Sequence, residues 1–132
     1  MPVDIVYLDD GYGIELIGKG VVTGEEIQAC NRVIYSGDTL VRQRYQLINL
    51  TDVEAFVVSN ADVTDLANQD IEASKTNPDI IIAVVAKDKL AFGLARMWEA
   101  HADKATFETM VFRERPEALA WIKQKLDEPK GV

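Results

Sequence analysis

The chain has a single cysteine, Cys30, and a single histidine, His101, among its 132 residues. One cysteine excludes an intrachain disulfide and suits a reducing compartment. With one residue of each kind, a Cys/His zinc site cannot be assembled, and a thiol–imidazole pair would have to join Cys30 to His101. Cys30 falls on the apolar face of its helix, where a thiol is usually an inert small hydrophobe. His101 closes a helix, where it complements the dipole. Long apolar runs are also missing: residues 80–86 form the longest, far short of the ~20 residues of a membrane span. Residues 1–10 have neither the basic start nor the apolar stretch of a signal peptide. Gly11, Gly13, Gly18 and Gly20 are too few and wrongly placed for a phosphate cradle, and no Gly-x-Ser-x-Gly elbow occurs. Asp and Glu are abundant, but nothing singles out a catalytic pair.

Positive charge is in short supply. The net charge of −8 removes the counterion release that drives most nucleic-acid binding, and it opposes docking on anionic membranes. The acidic residues are scattered, which reads as a solvated surface. The expectation is a cytoplasmic, soluble protein with no nucleic-acid partner, no membrane insertion, no metal, no cofactor and no catalytic site.

What is present is ordinary globular material, 48% hydrophobic and 27% charged, and residues 1–132 read as one domain. Residues 3–8 and 14–17 predict two strands joined by the turn cluster at 9–13. Thr23 and Glu26 fit a capping box opening a helix to about residue 35, with Ile27, Cys30 and Ile34 on one face. Ser36, Gly37 and Asp38 end it. Residues 45–50 predict a strand, 51–59 an irregular loop, and 60–76 a second helix closed before Pro78. Residues 80–85 are a continuous apolar strand of the kind buried on both faces. Asp88 caps a third helix over 89–101. Residues 106–112 predict a last strand. Pro116 opens a fourth helix to about residue 126, and 129–132 form a tail. Alternating strands and helices imply parallel pairing through right-handed crossovers. The fold class is therefore α/β: a mixed five-stranded sheet, an N-terminal hairpin then parallel βα units, with four helices.

Three stretches carry a family likeness: residues 20–26 entering the first helix, residues 82–85 followed by Lys87 and Asp88, and residues 117–122 with Trp121. Together with the order of elements, they resemble the STAS-like family that includes bacterial anti-sigma-factor antagonists, and within it the SpoIIAA-like branch of small bacterial proteins. These are packing motifs, so the likeness speaks to fold more than to function. In the antagonists, Asp-Ser-Ser-Gly follows the third strand, and its first serine is a phosphorylation switch. Allowing one inserted residue, Ser59 matches that serine. Val58, Asn60 and Ala61 depart from the pattern, which makes any switch loop degenerate. The ordinary role for Ser59 or Asn60 is to cap the second helix.

Other positions stand out physically. Asp70 falls among Val63, Leu66, Ala67 and Ser74, inside the apolar stripe of the second helix. A carboxylate there must be paired, neutral or facing a cavity. The more ordinary placement shifts the stripe toward Ile71 and leaves Asp70 at its solvent edge. Phe56, Val57 and Val58 lie in the predicted loop. They either rim a binding site or fold back over the core. Phe92 lies opposite the expected core residues Leu90, Leu94, Met97 and Trp98, with Arg96 one turn on. An outward Phe with an Arg neighbour is a composition that interfaces favour and suits self-association as a homodimer; the alternative is an intramolecular Phe–Arg stack on a monomer surface. Trp98 and Trp121 are read as core.

Two functions follow. The first is a non-catalytic regulatory or protein-interaction domain acting through residues 56–59. The second is a small-molecule or lipid-binding module with a pocket between that loop and the second helix, where Asp70 or Ser59 supplies polarity. A ligand module requires an apolar internal cavity, whereas an interaction domain requires a filled core and an exposed patch.

Overall fold

The computed structural model describes residues 2–128; the tail expected at 129–132 lies outside the described residues. The elements are β1 (Val3–Leu8), β2 (Gly13–Thr23), α1 (Gly24–Ile34), α2 (Gly37–Arg42), β3 (Tyr45–Val57), α3 (Asn60–Thr76), β4 (Ile81–Val85), α4 (Lys89–His101), β5 (Glu108–Phe112) and α5 (Arg115–Asp127). The sheet runs β1-β2-β3-β4-β5. β1 pairs antiparallel with β2, and the remaining pairs are parallel.

The strand order never reverses. Three successive right-handed crossovers that step in one direction must lay their helices on one face of the sheet. α1, α3 and α4 accordingly cover the face presented by Ile14, Leu16, Ile82 and Val84. α5 follows the last strand and closes the other face, packing Ala118 and Ile122 on Leu47, Ala83 and Val85. β4 therefore has helices on both sides, which is why its sequence shows no polar alternation.

The capping boxes form as the residue types require. Thr23 Oγ1 accepts the Glu26 N–H at 3.2 Å, and Glu26 takes the Thr23 N–H at 3.1 Å. Asp88 accepts from the amides of Leu90 and Ala91.

Two expectations need correction. Residues 37–42 are helical, so the described chain has five α-helices rather than four. α2 is six residues long, too short to show an apolar period. Residues 51–57 are strand, not irregular loop. β3 runs past the end of β4 at the Asn49–Val85 pair and continues to Val57 beside β2, which runs to Thr23. Irregularities between Ile17 and Lys19 and between Gly20 and Val21 break the register, and Gly20 adopts a positive φ of 63° there, a conformation glycine takes without strain.

Gly13 packs against Tyr45, and a Cβ at that position would overlap the hydroxyl end of the tyrosine ring. Tyr45 is held in turn by a hydrogen bond to Asp9. Gly13→Ala must displace the ring, and it should destabilise the fold by about 1–3 kcal/mol. Urea unfolding checks this. An unchanged midpoint would show that the hairpin entry moves freely.

Candidate functional site

Between the three-helix face and the sheet the side chains do not fill the space. The cavity has a volume of about 70 Å³. Leu16, Ile48, Ile82 and Val84 form its sheet wall; Ile27, Leu66 and Leu94 come from the helices. Phe56 and Val58 stand at the end where β3 turns into α3. The lining is overwhelmingly apolar, with one carboxylate, Asp70.

Asp70 is only 4% exposed. Tyr35 donates its hydroxyl to Asp70 Oδ1 at 2.6 Å, and Trp98 donates Nε1–H to Oδ2 at 2.6 Å. The solvent-edge placement is thus overturned: the stripe is centred on Asp70, and a carboxylate enters the interior because two donors meet it there. The network continues outward. Gln46 Nε2 donates to the Tyr35 hydroxyl at 3.0 Å and to Gln43 Oε1 at 2.9 Å. Gln43 Nε2 donates to the carbonyl of Ile34 at 2.5 Å. The chain of bonds joins the C-terminal end of α1, the start of β3, α3 and α4 around one end of the cavity.

Burial pushes the Asp70 carboxyl up to about 6, and the bonds from Tyr35 and Trp98 hold it down from going further. Burial first, and the Asp70 charge second, raise the Tyr35 hydroxyl well above its ordinary value, so Tyr35 is a donor at every working pH. The Cys30 thiol is raised by burial and by Glu26 and Asp4, which opposes thiolate chemistry.

Of the residues singled out from sequence, Phe56, Val58 and Asp70 line one cavity. The two readings of residues 56–58 merge, because Phe56 packs on the core and bounds the cavity at once. Val57 points away and is 60% exposed. Ser59 and Asn60 are exposed and outside the lining. Ser59 is the cap of α3: its Oγ accepts the Asp62 N–H and Asp62 accepts the Ser59 N–H, both at 3.0 Å. A phosphoryl group on that oxygen would face the Asp62 carboxylate and break the box.

The Phe92–Arg96 stack does not form. Arg113 sits over the half-buried Phe92 ring at 4.2 Å, and Arg96 pairs with Glu99 at 3.6 Å. Leu90, expected in the core, is 60% exposed.

Sequence reasoning missed Tyr35, Gln43 and Gln46. A signal existed in Gln46, a polar residue that shares its side of the strand with Ile48 and Leu50. It also missed the clasp on the opposite face, where Arg115 grips the buried Glu15 through two bonds of 2.8 and 3.1 Å and Asn49 adds a third at 3.1 Å. Among the described residues no cluster of His, Cys, Asp or Glu is placed to hold a metal ion, and no helix is long and apolar enough to cross a membrane.

This is a SpoIIAA-like fold with an apolar cavity roofed by its crossover helices. A crystal structure of an uncharacterized protein from the DUF3478 family with a SpoIIAA-like fold, from Shewanella loihica PV-4, matches 91% of this chain and 91% of its own with a TM-score of 0.53 at 17% identity. No protein-family model matches the chain, and no curated protein matches it.

The raised carboxyl has a consequence for stability. Asp70 binds its proton more tightly folded, at about 6, than at its ordinary 3.8. Its contribution is therefore fullest at low pH and is lost as the pH rises through about 6. Asp70→Asn removes that titration. Relative to wild type, the variant should gain up to about 3 kcal/mol between pH ~4 and pH ~7. Urea unfolding of both proteins across that range measures the gap. Parallel profiles would show that the carboxyl is not desolvated.

Proposed function

We propose that this protein is a non-catalytic binding module whose cavity holds a small apolar molecule, with the Asp70 cluster as its polar end. The unfilled space carries the reading. Protein interiors pack to crystal density with few voids larger than a water, and an apolar void forfeits the dispersion contacts of its lining. A cavity of about 70 Å³, walled by aliphatic and aromatic side chains, is an expense in stability that a ligand offsets. An apolar wall with a few convergent polar groups is the usual composition of small-molecule sites.

A regulatory role through protein contact is the second reading, and β3 supports it. Beyond Asn49 the strand pairs with β2 alone, and Val21 and Val57 lie more than half exposed on this two-stranded extension. A partner docked there would sit beside Phe56 and Val58 of the cavity lining, so ligand and partner would sense each other through Phe56. The capping box at Ser59 favours a switch operated by occupancy over one operated by phosphorylation.

Native mass spectrometry of freshly purified protein, compared with a denatured spectrum, should show an added mass that denaturation removes. Ligand-free protein should bind the neutral apolar dye N-phenylnaphthylamine. Ala95→Phe, which fills the cavity from α4, should weaken dye binding by about ten-fold or more at an overpacking cost of about 1–3 kcal/mol. A ligand-free native mass together with dye binding untouched by the substitution would reject the cavity as a site.

A further inference from the structure

We infer that the cavity sorts its ligands by head group: it takes an apolar chain ending in a hydrogen-bond donor, a hydroxyl or an amine, and turns away the same chain ending in a carboxylate. This rests on the reading of the cavity as a ligand site.

Charge argues for it first. No Lys, Arg or His lines the cavity, and the one ionisable group in the lining is Asp70. The cations beside the lining in sequence lie outside it: Arg32, next to Asn31, and Arg44, near Gln46, are exposed, and Arg96, next to Ala95, pairs with Glu99. An anionic head group drawn into this space meets a like charge with no counter-charge, at a separation and in a medium where the repulsion is large. Burial lifts the Asp70 carboxyl only to about 6, so it is a carboxylate at neutral pH.

Hydrogen bonding argues the same way. The Tyr35 hydroxyl and the Trp98 ring N–H are committed to Asp70. Both amide hydrogens of Gln46 are committed to Tyr35 and Gln43. Each Asp70 oxygen has taken one side-chain donor, whereas a carboxylate offers about four acceptor sites in all. Gln46 Oε1 takes no hydrogen bond from the described residues, although Gln46 is 2% exposed and lines the cavity. Asn31, which gives one N–H to Gln69, keeps a second, but a neutral amide supplies no counter-charge. At the polar end the open acceptors therefore outnumber the one free donor. A ligand hydroxyl or ammonium supplies another, and a ligand carboxylate adds acceptors to acceptors.

Three probes share an eight-carbon chain and differ only at the head: octanol, octylamine and octanoate. Each is titrated at neutral pH into full-length, ligand-free protein, following displacement of N-phenylnaphthylamine and the emission of Trp98, which lines the cavity. Octanol and octylamine should both bind more tightly than octanoate, by about ten-fold or more. Asp70→Asn should narrow the gap by strengthening octanoate; if that variant does not fold, the wild-type series decides alone. Octanoate binding as tightly as octanol or octylamine would overturn the head-group rule while leaving the cavity as a site. Failure of all three to displace the dye would remove the rule together with the reading beneath it.

Discussion

The arrangement depends on one buried carboxylate. Asp70 can sit in the interior only while Tyr35 and Trp98 both reach it, and those donors come from the C-terminal end of α1 and from α4. A desolvated acceptor that loses a partner is penalised far more than a surface one. The two bonds therefore set the distance of α1, α3 and α4 from one another over the sheet. The cavity is what remains between helices held at that spacing. With an aliphatic residue in place of Asp70, the same helices would have no reason to stop short of close packing. The carboxylate thus defines the site geometrically as well as chemically.

The opposite face of the sheet follows a different rule. It carries one helix, α5, whose small residue Ala118 allows close approach to Leu47 and Ala83. Its first residue, Arg115, reaches across to Glu15 on β2. That contact ties the last element of the described chain to the second strand, and it neutralises a carboxylate that the sheet has buried. The two faces share a device, an acid inside the fold satisfied by donors from distant elements. They differ in outcome. The Glu15 acid meets a full counter-charge from the partly exposed Arg115, whereas the Asp70 acid meets neutral donors beside open space.

Local signals were legible where local physics decides. The box at Thr23 and Glu26, the cap at Asp88, the span of α3 and the two-sided burial of β4 all stand as the residues indicate. The second half of β3 was not legible. Its inward residues, Ile48, Leu50, Val53 and Phe56, are spaced by two, then three and three. A strand is recognised by a strict period of two, and the register shifts opposite β2 break that period. Phe56 consequently read as a loop residue although it ends a strand. Asp70 was legible as an anomaly but not as a site, because its partners lie 35 and 28 residues away and periodicity carries no information about them.

By itself the sequence determined the fold class, the parallel crossovers, most helix boundaries and a supply of one cysteine and one histidine in the chain. Each of these follows from spacing within one element or from the mere count of a residue type. Only the tertiary structure decided that Asp70 is buried and bonded, that Phe56 and Val58 bound a cavity, and that Arg113 rather than Arg96 covers Phe92. Those outcomes turn on which side chains from different elements arrive at one point. That is settled by how the helices pack across the sheet, a property no single stretch of the chain contains.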